Sequence, residues 1–391
     1  MRETIGVIGG GQLARMMIPA AVNLGLTIRV LEEAPGMSAE LAATAVGDYR
    51  DLETVLTFAE TVDAITFDHE HVPQAVLREL VARGVAVHPG PDALLYAQDK
   101  LQMRSRLTEL GLPVPDWAAV RNADELGAFL AAHGGRAVVK TARGGYDGKG
   151  VRVVRDAHEA DDWFSALADA GTTPTAGTTP TAGTTPDALL VEELVDFRRE
   201  LAQLVARRPS GQIAAWPVVE TVQKGGVCAE VIAPAPEAAG HVANAAGEIA
   251  RAIASGLGVT GVLAVELFET TDGRILVNEL AMRPHNSGHW SIDGAITSQF
   301  EQHLRAVLDL PLGSTEARAP WSVMVNILGG PAEGSLQDRY SAVLDAYPSV
   351  KIHAYGKAPR PGRKVGHVTA VGADLAKVLA EARGAAAFFE N

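Results

Sequence analysis

Residues 262–289, VLAVELFETTDGRILVNELAMRPHNSGH, hold the pattern from which the fold and chemistry of this chain are best inferred. Two runs rich in Val, Ile and Leu flank Asp272-Gly273, a dipeptide that supplies the positive φ angles of a two-residue hairpin loop. With that loop, Glu266 stands directly opposite Glu279. A four-residue loop makes them diagonal neighbours, and a three-residue loop separates them. The stretch therefore predicts a hairpin with two carboxylates on one face.

A pair of facing carboxylates is unfavourable by itself, because two such charges about 5 Å apart repel by roughly 3 kcal/mol at an effective dielectric of 20. Mg²⁺ favours a few carboxylates together with phosphate oxygens, and it would remove this repulsion. The alternative is two solvated glutamates on an exposed face. We favour the metal because Arg283, His285, Asn286 and His289 follow within one short segment. The predicted metal ligands are Glu266, Asn278 and Glu279.

Length and composition narrow the class of protein. A chain of 391 residues with 47% hydrophobic and 5% aromatic residues is typical of an α/β protein with two or three domains. It lacks an apolar run of the ~18–20 residues that span a bilayer, and its N-terminus lacks the features of a signal peptide. A single cysteine, Cys228, excludes an intramolecular disulfide. These features predict a cytoplasmic protein that does not bind membranes, and the net charge of −13 argues against nucleic-acid binding.

The first segment, residues 4–32, predicts a βαβ unit made of a buried strand, a glycine-rich turn, a helix and a second strand. The start of such a helix can hold an anion. The turn Gly9-x-Gly11-x-x-Ala14, followed by Glu32, also fits a dinucleotide fingerprint. On these residues alone, NAD binding is as well supported as binding of another anionic ligand.

Two further stretches place charged residues where a ligand can reach them. The predicted strand in residues 63–73 ends in a polar cluster that includes Glu70, and ligands of open α/β sheets bind beyond the carboxyl ends of strands. Lys100 lies in the first turn of a helix that Asp99 is expected to cap. Because a cation is unfavourable at that end of a helix, Lys100 is a candidate ligand contact.

The glycine-rich segment RGGYDGKG, residues 143–150, lies between two predicted strands, the first of which ends in Lys140. No helix follows it, which excludes a P-loop. We predict a hairpin lid whose tip presents backbone N–H groups and Lys149 to phosphates, and whose Tyr146 and Asp147 touch the enclosed ligand. A mobile hairpin without function is the alternative.

The remaining segments are assigned more simply. Residues 171–186 repeat the hexamer GTTPTA without apolar periodicity, which predicts a flexible surface insertion without an assigned function. Helices are predicted at residues 241–258 and 292–310, and a strand-rich tail follows residue 321. Four cations lie within eight residues of this tail, which indicates a phosphate-holding loop on an acidic protein: Lys357, Arg360, Arg363 and Lys364.

Residues 189–207 predict two strands joined by a hinge, residues 192–195. Backbone groups of the hinge can recognise an adenine edge, and Glu200 can reach ribose hydroxyls. This segment is therefore a candidate nucleotide site.

Together these residues resemble the ATP-grasp enzymes, and more narrowly the family of N(5)-carboxyaminoimidazole ribonucleotide synthetases of purine biosynthesis. The resemblance rests on GVIGGGQLARMM, DHEHVP, RGGYDGKG and RPHNSGHW, and it covers essentially the whole chain apart from the repeat. It favours a substrate-holding first domain over an NAD site. The implied fold is α/β and α+β, with ATP-grasp architecture: an N-terminal Rossmann-like domain (1–96), a linking helix with a small lid domain (97–192), a large domain (193–320) and a strand-rich C-terminal part (321–391).

The resemblance also implies the reaction. ATP phosphorylates bicarbonate to carboxyphosphate, which carboxylates the exocyclic amine of 5-aminoimidazole ribonucleotide, and ADP and phosphate leave. The expected cofactors are ATP and Mg²⁺, with Mn²⁺ as a substitute. The expected assembly is a homodimer, and the mutase that uses the product is the expected transient partner. Two alternatives are a formate-dependent glycinamide ribonucleotide transformylase, which shares the scaffold, and a non-catalytic ATP-binding subunit.

Residue roles follow from the same resemblance. Catalytic roles fall to Tyr146, Asp147, Arg283 and His285. ATP contacts fall to Lys100, Lys140, Gly145, Tyr146, Asp147, Gly148, Lys149, Gly150, Val151, Glu192, Glu193, Leu194, Val195, Glu200, Gln223, Asn278 and Glu279. Contacts to the nucleotide substrate fall to Gln12, Leu13, Glu70, Asn286, Lys357, Arg363 and Lys364. One departure is Gln223, near which many members of the family place a histidine.

Overall fold

The computed structural model describes residues 3–144, 150–172, 187–238 and 240–390. Its first sheet is parallel throughout, which confirms the predicted βαβ start. The elements of this part are β1 (Thr4–Ile8), α1 (Gln12–Leu24), β2 (Thr27–Glu32), β3 (Ala43–Val46), α2 (Leu52–Ala59), β4 (Ala64–Phe67), α3 (Gln74–Ala82), β5 (Ala86–Val87) and α4 (Pro91–Gln98). The strand order is β3-β2-β1-β4-β5. The order reverses between β1 and β4, so the loops after these two strands form the crevice where such sheets bind ligands.

A second sheet is antiparallel and has the order β6-β9-β7-β8. The elements from its linking helix onward are α5 (Lys100–Glu109), β6 (Trp117–Val120), α6 (Ala123–Ala132), β7 (Ala137–Lys140), β8 (Val151–Val154), α7 (Asp161–Thr172) and β9 (Leu189–Glu193). Asp99 caps α5 as predicted, because its Oδ1 accepts hydrogen bonds from the N–H groups of Leu101 and Gln102.

The predicted hairpin is confirmed as an antiparallel pair of β7 and β8, and its role as a lid stays a prediction. Its tip, residues 145–149, lies outside the described residues, and so do the predictions for Gly145, Tyr146, Asp147, Gly148 and Lys149. The prediction of a flexible insertion from residue 171 is wrong at its start, because α7 continues through Thr172. Residues 173–186 are not described.

The third sheet contains nine strands among the described residues, in the order β15-β14-β10-β12-β13-β16-β18-β17, with β11 paired to β10. Its elements are β10 (Phe197–Arg207), β11 (Ile213–Ala215), β12 (Val219–Lys224), β13 (Val227–Ala233), α8 (His241–Gly256), β14 (Gly261–Thr270), β15 (Ile275–Ala281), α9 (Ser291–Gly294), α10 (Gln299–Val307), β16 (Trp321–Leu328), α11 (Tyr340–Ala346), β17 (Lys351–Ala354), β18 (Lys364–Gly372) and α12 (Leu375–Ala387).

The helix predicted at residues 292–310 is two helices, because Ser298 caps a new start with its side chain. The strand-rich tail also contains α11 and α12.

The β14–β15 hairpin has a three-residue loop, so the predicted two-residue loop is wrong. The Thr270 N–H donates to the Arg274 carbonyl at 2.9 Å, which closes a loop of residues 271–273. The next residues pair in the same register, Glu269 with Ile275 and Phe268 with Leu276. That loop alone would separate the two carboxylates. A bulge at Asn278 shifts the register by one residue and places Glu266 opposite Glu279 after all. The predicted facing pair is confirmed, but a bulge produces it.

Shared cores join the sheets and position the crevice. Buried Leu94 and Met103 pack in one cluster with Leu263 and Val277 of the hairpin. A second cluster joins α1 to α10, with buried Leu13 among its members. These contacts bring the loops after β1 and β4 next to the β14–β15 hairpin. Within the described ranges, none of the helices has the length and hydrophobicity needed to cross a membrane.

Candidate functional site

Glu266 and Glu279, the carboxylate pair, lie on adjacent strands with side chains 32% and 45% exposed. Lys100 Nζ contacts Glu279 Oε1 at 2.8 Å, so a protein cation already offsets part of the repulsion that we attributed to a missing metal. Burial, with the nearby charges of Glu279 and Glu200, raises the pKa of Glu266 to about 7. The pair is therefore still short of positive charge.

A buried ion cluster of Arg104, Lys140 and Glu192 lies beside this pair. Glu192 accepts from Arg104 Nε, and its Oε2 lies 2.7 Å from Lys140 Nζ. Burial alone would raise the pKa of Glu192, but the charges of Arg104 and Lys140 hold it below its usual value. Glu192 is 2% exposed, with its carboxylate directed at these cations. Both cations also reach the bulge, Arg104 Nη2 at the Asn278 carbonyl (2.6 Å) and Lys140 Nζ at Asn278 Oδ1 (3.1 Å).

His285 approaches the carboxylate pair from the loop after β15, with Nε2 3.4 Å from Glu266 Oε1. Its Nδ1 accepts from the Ser287 N–H at 3.3 Å and lies 2.8 Å from Ser287 Oγ, which can also donate to it, so the proton is assigned to Nε2, facing the carboxylate. Burial, followed by the charge of Arg283, lowers the pKa of His285 to about 3. His285 is thus a neutral hydrogen-bond donor at the edge of the pair.

Glu70 joins the first domain to the same loop. Its Oε2 accepts from Arg283 Nε and its Oε1 from the Met282 N–H, both at 2.9 Å. Two candidates that lie 213 residues apart in the sequence therefore meet. The Arg283 guanidinium is held by the Glu70 carboxylate at Nε and by the Pro284 carbonyl, 3.2 Å from Nη1, so Nη2 is the nitrogen best placed to meet an anion.

The glycine turn after β1 packs on a carboxylate of its own chain. Asp68 Oδ1 accepts from the Ala14 N–H at 2.8 Å, and a Cβ on Gly11 would lie only 2.0 Å from Asp68 Oδ2. The helix start that we expected to hold a ligand anion therefore holds Asp68, whose pKa burial raises. Glu32, the acidic end of the dinucleotide fingerprint, is 2% exposed. The glycines serve close packing at this turn.

The cation-rich loop of the tail reaches the crevice. Lys357 Nζ donates to Gln12 Oε1 at 2.7 Å, which joins residues 345 positions apart. The charge of Lys364 partly opposes the rise in the pKa of Glu266 that burial and Glu279 cause. Arg363 is half-buried and donates to the Ala358 carbonyl at 3.3 Å. The structure thus brings two of the four predicted cations to the ends of the crevice.

Other candidate residues are partly or fully buried, or already hydrogen-bonded within the protein. The Asn286 amide exchanges hydrogen bonds of 3.1 and 2.8 Å with the Asn326 amide and is 7% exposed. In the hinge, the Glu193 N–H donates to the Asp116 carbonyl. Burial raises the pKa of Glu200, which is half-buried on β10. The remaining described candidates lie in the hinge, on β12 and at the start of β8: Leu194, Val195, Gln223, Gly150 and Val151.

In the described part of the chain, no group of three or more His, Cys, Asp or Glu side chains is arranged to hold a metal ion by itself. The two carboxylates and Asn278 Oδ1 are a smaller set of oxygen atoms. Such a set suits Mg²⁺, which usually takes one or two carboxylates and completes its shell with water and phosphate oxygens.

Three residues of this region were not predicted from the sequence. Arg104 left a detectable signal, because a charged residue lies among the apolar positions Met103 and Leu107 of α5. Asp68 also left one, since it directly follows a buried strand next to β1. Gln299, which contacts the His285 backbone, left none that we can identify.

Comparison with known proteins divides the chain into three matched regions. Residues 1–98 match the ribonucleotide synthetase preATP-grasp domain, residues 105–300 the ATP-grasp domain, and residues 322–381 the phosphoribosylaminoimidazole carboxylase C-terminal domain. The N5-carboxyaminoimidazole ribonucleotide synthase of Mycobacterium tuberculosis (strain ATCC 25618 / H37Rv) is 51% identical over 386 residues, which cover 98% of this chain and 86% of that protein.

Solved structures agree with this similarity. The N5-carboxyaminoimidazole ribonucleotide synthetase of Thermus thermophilus is 36% identical with a TM-score of 0.84, covering 99% of this chain and 98% of that one. The Aspergillus clavatus synthase, solved with ADP and 5-aminoimidazole ribonucleotide, is 30% identical with a TM-score of 0.85, covering 99% and 98%.

Proposed function

Because this chain belongs to the ATP-grasp family of N5-carboxyaminoimidazole ribonucleotide synthases, we propose that it is a ligase that carboxylates 5-aminoimidazole ribonucleotide with bicarbonate and ATP in purine biosynthesis. One observation of the structure supports this most directly. The carboxylate pair lies between Lys100 on one side and His285 on the other, with Arg283 adjacent. This arrangement suits a polyphosphate, a cation and a small oxyanion bound together.

The proposed reaction has two steps. A bicarbonate oxygen attacks the γ-phosphorus of ATP, the bond to the bridging oxygen breaks, and ADP leaves. The exocyclic amine then bonds to the carboxyl carbon of carboxyphosphate, the carbon–oxygen bond to phosphate breaks, and the departing phosphate accepts the proton that the amine loses. Phosphoryl transfer of this kind depends chiefly on positioning and charge neutralisation. Lys100 and Lys140 would neutralise ATP phosphates, and Arg283 and His285 would hold the small anion.

We assign the metal site to Glu266, Glu279 and Asn278. The raised pKa of Glu266, caused by burial and then by Glu279, supports the assignment because a cation would relieve both effects. Mg²⁺, or Mn²⁺ in its place, would neutralise charge on the phosphates when bound. The chain itself holds the two carboxylates face to face, and Asn278 Oδ1, which accepts from Lys140 Nζ at 3.1 Å, would use its second lone pair for the cation.

The small acid separates this proposal from its two alternatives. Arg283 and His285 offer several donors, and bicarbonate can occupy more of them than formate, while a buried donor left unpaired costs roughly 1–3 kcal/mol. We expect ADP release from ATP and 5-aminoimidazole ribonucleotide to depend on bicarbonate, measured with a coupled ADP assay. Formate with glycinamide ribonucleotide should give only background.

His285→Ala tests the role of the loop in the same assay. Coupled turnover should fall far more than ATP affinity, because His285 faces the small anion rather than the adenine. His241→Ala, at the exposed start of α8, is the control and should leave both unchanged. Formate-driven turnover would instead indicate the transformylase. Tight ATP binding without turnover of either substrate pair, bicarbonate with 5-aminoimidazole ribonucleotide or formate with glycinamide ribonucleotide, would indicate a regulatory subunit.

We also propose that the protein is cytoplasmic, forms a homodimer and passes its product to a mutase in a transient complex. The family resemblance motivates all three. Light scattering after size-exclusion chromatography tests the dimer, and a monomer at micromolar concentration would contradict it. Co-sedimentation with the mutase, with and without product, tests the complex.

A further inference from the structure

A buried glutamine outside the assigned site holds the loop that carries His285. Gln299, the first residue of α10, is 0% exposed. Its Oε1 accepts from the His285 N–H at 2.8 Å, and its Nε2 donates to the His285 carbonyl at 2.8 Å. The Gln299 side chain thus pairs with both the N–H and the carbonyl of His285, as the backbone of a neighbouring strand would.

The two backbone hydrogen bonds also fix the orientation of the Gln299 amide, because an N–H needs the oxygen and a carbonyl needs the nitrogen. The second hydrogen of Nε2 then points at His289 Nδ1, 2.8 Å away. His289 must accept there and carry its proton on Nε2. A single amide therefore sets the backbone of His285 and the tautomer of His289.

The loop is packed tightly against this amide. A Cβ on Gly288 would lie 2.4 Å from Gln299 Oε1, so the loop approaches as closely as a glycine allows. The Gln299 N–H donates to Ser291 Oγ, and that hydroxyl donates to the Gly288 carbonyl at 2.6 Å. Both ends of residues 285–291 are thus anchored to the start of α10.

We propose that Gln299 is a positioning residue that holds His285 Nε2 toward Glu266 and toward the small anion, without touching a substrate. The effect on catalysis rests on the proposed function, whereas the effect on the position of His285 rests on the hydrogen bonds alone. We call the two hydrogen bonds between the Gln299 amide and the His285 backbone the clamp. Loss of the clamp lets the His285 backbone move. Displacement of a reacting group by about 1 Å costs on the order of 10²-fold in rate.

The chain provides a matched control on the same helix. Gln302 is also 0% exposed and makes the same two-sided contact with one peptide residue, Gly313, through Nε2 at 2.9 Å and Oε1 at 2.8 Å. Gln302→Leu removes an equivalent buried clamp that holds no proposed site residue. A purely structural role predicts equal effects of Gln299→Leu and Gln302→Leu.

The first measurement is the amount of carboxylated product formed per ADP released. In Gln299→Leu this ratio should fall by about tenfold or more, because carboxyphosphate is no longer held for the amine, while the KM for ATP changes by less than about twofold. Gln302→Leu should keep the wild-type ratio. Should Gln299→Leu not fold, Gln299→Met keeps a similar side-chain length, removes the acceptor and both donors, and should show the same loss.

The second measurement does not need turnover. Imidazole ¹⁵N shifts report the tautomer of His289 and the hydrogen bonding of His285; both sets of shifts should change in Gln299→Leu or Gln299→Met and stay as in wild type in Gln302→Leu. The proposal is overturned if the shifts do not change, or if the amount of product per ADP released falls equally in the Gln299 and Gln302 variants. If the wild-type protein shows no bicarbonate-dependent ADP release while the Gln299 variants show the expected shift changes, the proposed function is contradicted and the structural role of Gln299 stands.

Discussion

Two charge clusters lie side by side at Asn278 and have opposite character. In the buried ion cluster, Glu192 meets Arg104 and Lys140, and its pKa is lowered by those cations despite its burial. In the carboxylate pair, two acids face each other, and the pKa of Glu266 is raised to about 7. In the first cluster the carboxylate is paired with cations of the chain, although Arg104 Nη1 has no hydrogen-bond partner among the described residues; in the second cluster two like charges face each other.

The difference distinguishes a cluster of opposite charges from a pair of like charges at one strand edge. A buried ion pair with both partners present is compatible with a folded chain before any ligand binds, and Lys140 of this cluster is also proposed to contact ATP phosphates. A like-charge pair at a crevice is unfavourable until a cation arrives, and perturbed groups of this kind concentrate at functional sites. The bulge serves both clusters, because its carbonyl and side-chain oxygen face the buried cations while it sets Glu279 opposite Glu266.

The largest expected effect comes from breaking the carboxylate pair. Glu279→Gln should reduce ATP turnover by at least about 10²–10³-fold at saturating Mg²⁺, because half of the charge that would hold the cation is lost. The unfolding midpoint should stay near that of wild type, since relief of repulsion offsets the lost contact with Lys100. Asp272→Asn, at the exposed loop of the same hairpin, is the control. Near-normal turnover of Glu279→Gln would remove the metal assignment.

Breaking the buried ion cluster should act on stability. Glu192→Gln leaves two buried cations without their carboxylate, which costs about 3–5 kcal/mol. Urea unfolding measures this loss. Glu109→Gln, which removes an exposed partner of Arg106 on α5, should cost about 0–1 kcal/mol. Similar losses in the two variants would show that the cluster is not the buried anchor described above.

The pKa of Glu266 predicts a smaller, pH-dependent effect. Because its pKa is raised from 4.5 to about 7, the folded state holds a proton that the unfolded state has released between these values. Its contribution to stability is therefore present below about pH 4.5 and is lost as pH rises to about 7. Subtracting the pH profile of Glu266→Gln from that of wild type isolates this slope in the ligand-free protein. A difference that grows with pH would contradict the assignment.

The smallest effect is expected from the hexamer repeat. Deleting residues 173–184 removes two hexamers of the repeat and keeps Thr172, where α7 ends. Loop-closure entropy changes by only about 0.6 kcal/mol per doubling of loop length. Melting temperature and turnover should stay close to wild type in parallel assays. A loss of several degrees would show that the repeat packs against the protein.

The sequence alone predicted the features that depend on neighbouring residues. The βαβ start, the cap at Asp99, the lid strands and the hairpin follow from periodicity and turn chemistry over short spans, and the structure confirms them. The helix predicted at residues 292–310 failed for the same local reason, because apolar periodicity continued across the cap at Ser298. The family resemblance came from the same short stretches.

Tertiary structure decided what depends on distant residues. Loop length alone would have separated Glu266 from Glu279, and the bulge that restores their pairing is held by Arg104, 174 positions from Asn278. Gln299 likewise gains its role only from packing against the His285 loop. Periodicity records which face of an element is buried, whereas the partner of a buried polar group depends on which element packs there. For that reason, the sequence determined the carboxylates, and the fold determined how they are held.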